Sequence, residues 1–220
     1  MPLELKTPPL TYLVSSGETT PETTQASDEF LRLLALVRAA TQAGISLIQL
    51  REKLLPSRVL YELAVRASEI TRDTATHLLV NDRTDIASAA GADGVHLSTR
   101  SIETSVVRRA FGRDFLIGVS SHTLDEARAA RDDGADFTVF GPVFDTPSKR
   151  AYGTPAGLDA LREAARALTP FPVLAIGGVT RENAASVILA GARGVAAIRL
   201  FDDAETLSET VEEITCLPRI

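Results

Sequence analysis

The chain has 220 residues, 45% of them hydrophobic and 24% charged, the make-up of a soluble globular protein large enough to bury a substantial core. A formal charge of −6 argues against a nucleic-acid backbone as the main partner, yet leaves room for a small phosphate held by a local cluster of Lys, Arg and backbone N–H groups. No apolar run nears the ~18 residues of a membrane span, the opening MPLELKTPPLTYL is not ordered like a secretory signal, and Cys216 as the sole cysteine excludes an internal disulfide or a cysteine metal cluster, so a cytoplasmic setting is expected.

The first strand is expected in LTYLV from Leu10, followed by a helix in EFLRLLALVRAATQ. AGISLIQLR from Ala43 holds the second strand and RVLYELAVRASEITR the next helix. HLLVND near His77 and AGADGVHL from Ala90 supply strands three and four. FLIGVS near Phe115 supplies strand five, ahead of the helical LDEARAARDD. DGADFTVFG from Asp133, PVLAIGG near Pro172 and AGARGVAAIRL from Ala190 complete a set of eight. Four of these segments share one pattern, a Gly that closes a helix with a strand directly after it. Gly is the natural residue for the left-handed position just past a helix. The helical segments repeat apolar residues at helical spacing with charges on the other face. Eight strands alternating with helices over this length predict an α/β fold, a single (β/α)8 barrel over residues 1–220 with its core at about 10–201. The alternative is an open doubly wound sheet, but no GxGxxG follows the first strand.

On such a barrel the C-terminal ends of the strands and the loops after them build the site. Polar residues collect at those ends. Strand two ends in LIQLREK, where alternation puts Gln49 and Arg51 on the face opposite Ile48 and Leu50. Strand three ends in Asn81 and Asp82, strand four in His96, and strand five in Ser120, Ser121 and His122. Strand six runs into GPVFDTPSKR, strand seven into Gly177 and Gly178, and strand eight into Ile198 and Arg199. Each has a plainer reading. Arg51, Glu52 and Lys53 could be a solvated charge run. Asn81 and Asp82 could cap a helix starting near Thr84, residues 145–149 could be an ordinary loop, and the Gly pair could serve a turn. His77 reads as structural. His96, between Val95 and Leu97, fits a core histidine as well as a ligand contact.

Taken in order, QLREK, NDR, GADGVHL, GVSSHTLDEA, GPVFDTPSK and AIGGVTRENA resemble the family of thiamine-phosphate synthase and the thiazole tautomerase TenI, from about Leu10 to Phe201. The resemblance implies a (β/α)8 barrel that joins hydroxymethylpyrimidine diphosphate to a thiazole phosphate and releases diphosphate. It implies that Arg51, Lys53, Asn81 and Lys149 hold the diphosphate, with Mg2+ through Asp82. Ser120, Thr146 and Ser148 would add hydroxyl donors and Gln49 a further substrate contact. Gly177, Gly178, Ile198 and Arg199 would meet the thiazole phosphate. Lys53, Ser120, His122 and Lys149 are the catalytic candidates. The partners implied are the two small phosphorylated substrates, without nucleic acid or membrane, and a homodimer is allowed. Two positions depart from the synthase pattern. Ser101 stands where the family carries a second acidic Mg2+ ligand, and Arg199 follows Ile198 where a Ser is usual. The first departure leans toward TenI, with His122 as its proton carrier. Lys53 and Asp82, which TenI commonly loses, lean back toward the synthase. A non-catalytic barrel that binds a thiamine precursor, or another phosphate-binding barrel enzyme, are the remaining alternatives.

Overall fold

A computed structural model describes residues 9–146 and 154–218. Eight parallel strands close on themselves in sequence order: β1 (Leu10–Val14), β2 (Leu47–Leu50), β3 (His77–Asn81), β4 (Gly94–Leu97), β5 (Leu116–Ser121), β6 (Phe137–Phe140), β7 (Val173–Ile176) and β8 (Gly194–Ala197). The seam is the β8 pairing with β1, in which Tyr12 lies beside Ala196. Between the strands run α1 (Asp28–Gln42), α2 (Ser57–Thr71), α3 (Thr84–Ala89), α4 (Thr104–Phe111), α5 (Leu124–Asp132), α6 (Gly157–Leu168) and α7 (Arg181–Leu189). The open doubly wound sheet is thereby excluded. The repeated Gly pattern has the expected cause, since Gly44, Gly91, Gly134 and Gly191 all take positive φ just past a helix.

Helix burial follows the spacing of the apolar residues. In α1 the buried face is Phe30, Leu33, Leu34, Val37 and Ala40, a stripe that recurs every three or four residues. In α5 the sequence TLDE forms a capping box, with Thr123 accepting from the Glu126 amide and the Glu126 carboxylate returning to the Thr123 amide. One element extends past the expected core limit near residue 201. Helix α8 (Leu207–Thr215) buries Leu207, Val211 and Ile214 in the same outer layer as Leu13 of β1 and Val195 of β8.

Strand alternation divides the core in two. Ile48, Leu50, Leu78 and Val80 face outward into the layer beneath the helices. Tyr12, Leu47, Leu79, Phe137, Leu174 and Ala196 face inward and fill the barrel. Truncating the fully buried Phe137 to Ala would cost about 3–5 kcal/mol. The strand N-terminal end is fastened by polar contacts. His77 lies 3.5 Å from Asp93, in agreement with its structural reading. Arg108 donates to the Asp136 carboxylate at 2.6 Å and to the carbonyls of Gly112, Gly134 and Phe115. The opposite end is thus left to carry function.

Candidate functional site

Inward alternation continues past the apolar filling to Gln49, Asn81, His96 and Ser120 at the strand C-terminal ends, so four expected positions converge at one mouth. Gln49 is almost wholly buried, and its Nε2 donates to Asn81 Oδ1 at 2.9 Å. Asn81 Nδ2 in turn donates to Asp82 Oδ2 at 3.1 Å. The other Asp82 oxygen accepts from the Ser98 amide at 3.3 Å and from the Ser101 hydroxyl. Ser101 Oγ also accepts from the Ser98 amide at 2.7 Å. Asp82 therefore does not cap α3; its carboxylate is turned toward the loop after β4 and stays exposed. Its φ of +56° is uncommon for a residue with a side chain, a local cost of the kind that marks functional sites. Ser101 sits directly against Asp82, where the resemblance expects a second carboxylate, and Glu103 is exposed at the head of α4.

The charges Arg51, Glu52 and Lys53 are not simply a solvated run, because Glu52 in the middle of the three is 3% exposed. Ser15 Oγ and Thr19 Oγ1 both donate to its carboxylate at 2.5 Å, and the Thr19 amide adds a third contact at 3.4 Å. The same Ser15 oxygen accepts from the Arg51 amide at 2.7 Å. Glu52 thus ties the loop after β1 to the end of β2 and sets the backbone from which Arg51 and Lys53 project. Arg51 is half-buried, with its guanidinium beside Gly17, and Lys53 is exposed. A pairing signal for Glu52 was absent from the sequence, since Ser15 and Thr19 lie over thirty positions away.

On the far side of the mouth Ser120 is half-buried, with its Oγ 2.9 Å from His96 Nε2. Ser121 departs from expectation. It alternates outward, is fully buried and shares a 2.8 Å hydrogen bond with Thr138, so it has no place in the mouth. His122 is exposed, and its Nδ1 lies 2.5 Å from the Gly141 carbonyl. A carbonyl can only accept, so His122 Nδ1 is the donor in this contact. Thr146 Oγ1 is shielded from solvent without a hydrogen-bond partner among the described residues. Ser148 and Lys149 lie outside the described residues.

Gly177 and Gly178 take φ of +94° and +66°. A Cβ on Gly177 would come within 2.5 Å of Pro142, and one on Gly178 within 2.7 Å of Phe144. The Val143 and Phe144 amides reach across to the carbonyls of Ile176 and Gly177 at 2.8 and 3.0 Å. The pair is therefore required for the loop after β6 to pack on the loop after β7, more than for a turn alone. After β8, Ile198 lines a cavity of about 190 Å³ together with Glu18, Glu29, Arg32, Glu52 and Asp202. Arg199 is exposed at the start of a short 3-10 turn, Arg199–Phe201. The Asp202 carboxyl is pushed up by burial and by the charges of Asp203 and Glu18, against the pull of Arg199.

His96 is a core residue that also reaches the site. Burial drives its pKa down to about 4, with the Asp82 charge pulling the other way, so the ring is neutral at pH 7. As a whole the mouth offers a half-buried Arg51 and an exposed Lys53 from the end of β2, the half-buried Ser120 hydroxyl from β5, one exposed carboxylate at β3, and a neutral histidine beneath. That set suits a small anionic substrate better than an apolar one.

A family model described as thiamine monophosphate synthase matches residues 21–201. A thiamine-phosphate synthase of Moorella thermoacetica is 48% identical over 165 residues, 75% of this chain and 78% of that protein. One from Chloroflexus aurantiacus is 39% identical over 83% of this chain and 84% of that one. Among solved structures, a thiamine phosphate pyrophosphorylase from Pyrococcus furiosus superposes with a TM-score of 0.77 at 30% identity, covering 96% of this chain and 99% of the other.

Proposed function

The chain belongs to the thiamine monophosphate synthase family, and from that membership we propose that it joins hydroxymethylpyrimidine diphosphate to a thiazole phosphate with release of diphosphate. The observation that carries this reading is the convergence of Arg51 and Lys53, Asn81 and Asp82, and Ser120 on one barrel mouth. When the C–O bond to diphosphate breaks, negative charge grows on the leaving group, and fixed positive charge and hydrogen-bond donors lower that barrier most. Arg51 would grip the diphosphate with its planar fork and Lys53 with a compact charge, with Lys149 joining them on the grounds of resemblance. Gln49 and Ser120 would position the pyrimidine part and a leaving oxygen, and Thr146 and Ser148 would add hydroxyls. The loops holding Gly177, Gly178, Ile198 and Arg199 would receive the thiazole phosphate. A cytoplasmic enzyme, alone or as a homodimer, suits this role.

The residues present fit a Mg2+ ion through a single protein carboxylate. Asp82 is exposed at the mouth, and among the described residues no group of three His, Cys, Asp or Glu side chains gathers to hold a metal. Mg2+ is commonly bound by one or two carboxylates with substrate phosphates supplying the rest. Asp82 would be its ligand, and the ion would offset diphosphate charge.

One observation favours a second reading, a TenI-like tautomerase. Ser101 contributes no charge beside Asp82, while His122 stands exposed just past β5 with its ring held through Nδ1 by the Gly141 carbonyl. Two variants separate the readings. The synthase requires that Lys53→Ala suppress product formation heavily and His122→Ala modestly; a tautomerase requires the reverse order on thiazole substrate alone.

A further inference from the structure

Beneath the mouth a polar chain crosses the barrel interior. Tyr12 of β1 is fully buried, and its hydroxyl lies 3.1 Å from His96 Nδ1. The other ring nitrogen of His96 lies 2.9 Å from Ser120 Oγ. Their surroundings are shaped for them. Phe137 meets Tyr12 edge-on with ring centroids 5.7 Å apart and lies 6.2 Å from His96. On β5, in register with His96, stands Gly118. A Cβ there would come within 2.8 Å of His96 Nδ1 and 2.4 Å of Phe137, so the absence of a side chain makes room for both rings.

Resting on the reading that Ser120 meets the leaving diphosphate, we propose that Tyr12 and His96 are positioning residues that set the direction of the Ser120 hydroxyl. The order of donors follows from what a dry interior tolerates. Tyr12 keeps its proton, since burial pushes the phenol further up, and His96 is its hydrogen-bond partner among the described residues. An O–H buried without an acceptor is costly, so the phenol donates to Nδ1. A neutral imidazole carries one proton, which then resides on Nε2 and is donated to Ser120 Oγ. With its oxygen already accepting from below, Ser120 turns its own hydrogen toward the mouth. The opposite order would leave the phenol hydrogen unpaired among Phe137 and the barrel leucines. Ser120 is thus held as a directed donor before substrate arrives, and it needs no reorientation as charge develops.

The test begins with the unmodified chain labelled with 15N-histidine. The three histidines are assigned by loss of signal in His77→Gln and His122→Gln. At neutral pH the His96 spectrum is expected to show an unprotonated Nδ1 and a protonated Nε2. Ser120→Ala should shift the Nε2–H resonance and leave Nδ1 in place. A protonated Nδ1, a doubly protonated ring, or an Nε2 signal indifferent to Ser120→Ala overturns the proposal. With both substrates and Mg2+, Ser120→Ala and His96→Ala should each lower kcat by about a hundredfold, and the double variant should be no slower than either, as expected of groups acting as one unit. Additive losses overturn it as well. Absence of turnover in the unmodified chain would count against the proposed reaction alone, while the spectrum still decides the relay.

Discussion

Acidification should expose the cost of His96. The ring is 4% exposed inside the barrel and its pKa falls from 6.5 to about 4 because burial disfavours the cation. Between those values the unfolded chain binds a proton that the folded one refuses, so stability rises with pH there. The full contribution is present above about pH 6.5. It is lost progressively as pH falls to about 4, where the folded protein also takes up the proton. A drop of that size is worth about 3 kcal/mol, against a usual total of about 5–15 kcal/mol. The assay is urea unfolding followed by circular dichroism, since the chain has no Trp, at several pH values for the wild type and His96→Gln. The variant is expected to start less stable at pH 7 and to lose less on acidification. The difference between the two slopes isolates His96 from the other titrating groups, including Asp93. Here burial raises the carboxyl pKa, but hydrogen bonds from His77 and the Leu78 amide outweigh it and hold the pKa low. Parallel slopes would refute the argument.

Other outcomes are equally definite. Ser101→Asp places a second carboxylate against Asp82; at about 4 Å, two like charges repel by about 1 kcal/mol if fully solvated and about 4 kcal/mol against the protein surface, so the variant should melt lower without Mg2+ and recover with it. A melting temperature unmoved by the substitution and by Mg2+ would show that this face does not hold the ion. Lys53→Ala and Lys149→Ala should each lower synthase turnover by roughly two to three powers of ten, the loss typical of one preorganised electrostatic contact; near-normal rates in both would remove them from the diphosphate site. Glu52→Ala should destabilise the fold by about 1–3 kcal/mol, because Ser15 and Thr19 lose a buried acceptor. It should also raise KM for the pyrimidine diphosphate by loosening Arg51. Thermal melts and steady-state kinetics check both effects.

The barrel could be read from local signals, because each of its units repeats the same physical pattern. The Gly after a helix, the apolar strand and the amphipathic helix are all visible within about thirty residues. The mouth was readable wherever alternation alone decides which way a side chain turns, as for Gln49, Asn81 and Ser120. Two limits have clear causes. Ser121 follows Ser120 in the chain but faces the other side of the sheet, where Thr138 satisfies it. Grouping it with the site ignored the strand period. Glu52 and Tyr12 depend on partners brought close by barrel closure, Ser15 and Thr19 for one and His96 across 84 positions for the other. Nothing local in REK distinguishes a buried carboxylate from a solvated one. The left-handed backbone of Asp82 is likewise set by the register with β4, where its amide donates to the His96 carbonyl.

Coupling of two phosphorylated precursors at this mouth is read from product stoichiometry. Purified protein is supplied with hydroxymethylpyrimidine diphosphate, thiazole phosphate and Mg2+, and thiamine phosphate and free diphosphate are quantified together, beside a tautomerisation assay on the thiazole substrate alone. One diphosphate should be released for each thiamine phosphate formed, with no tautomerisation. Conversion of the thiazole substrate without diphosphate release or coupled product would contradict the coupling reaction.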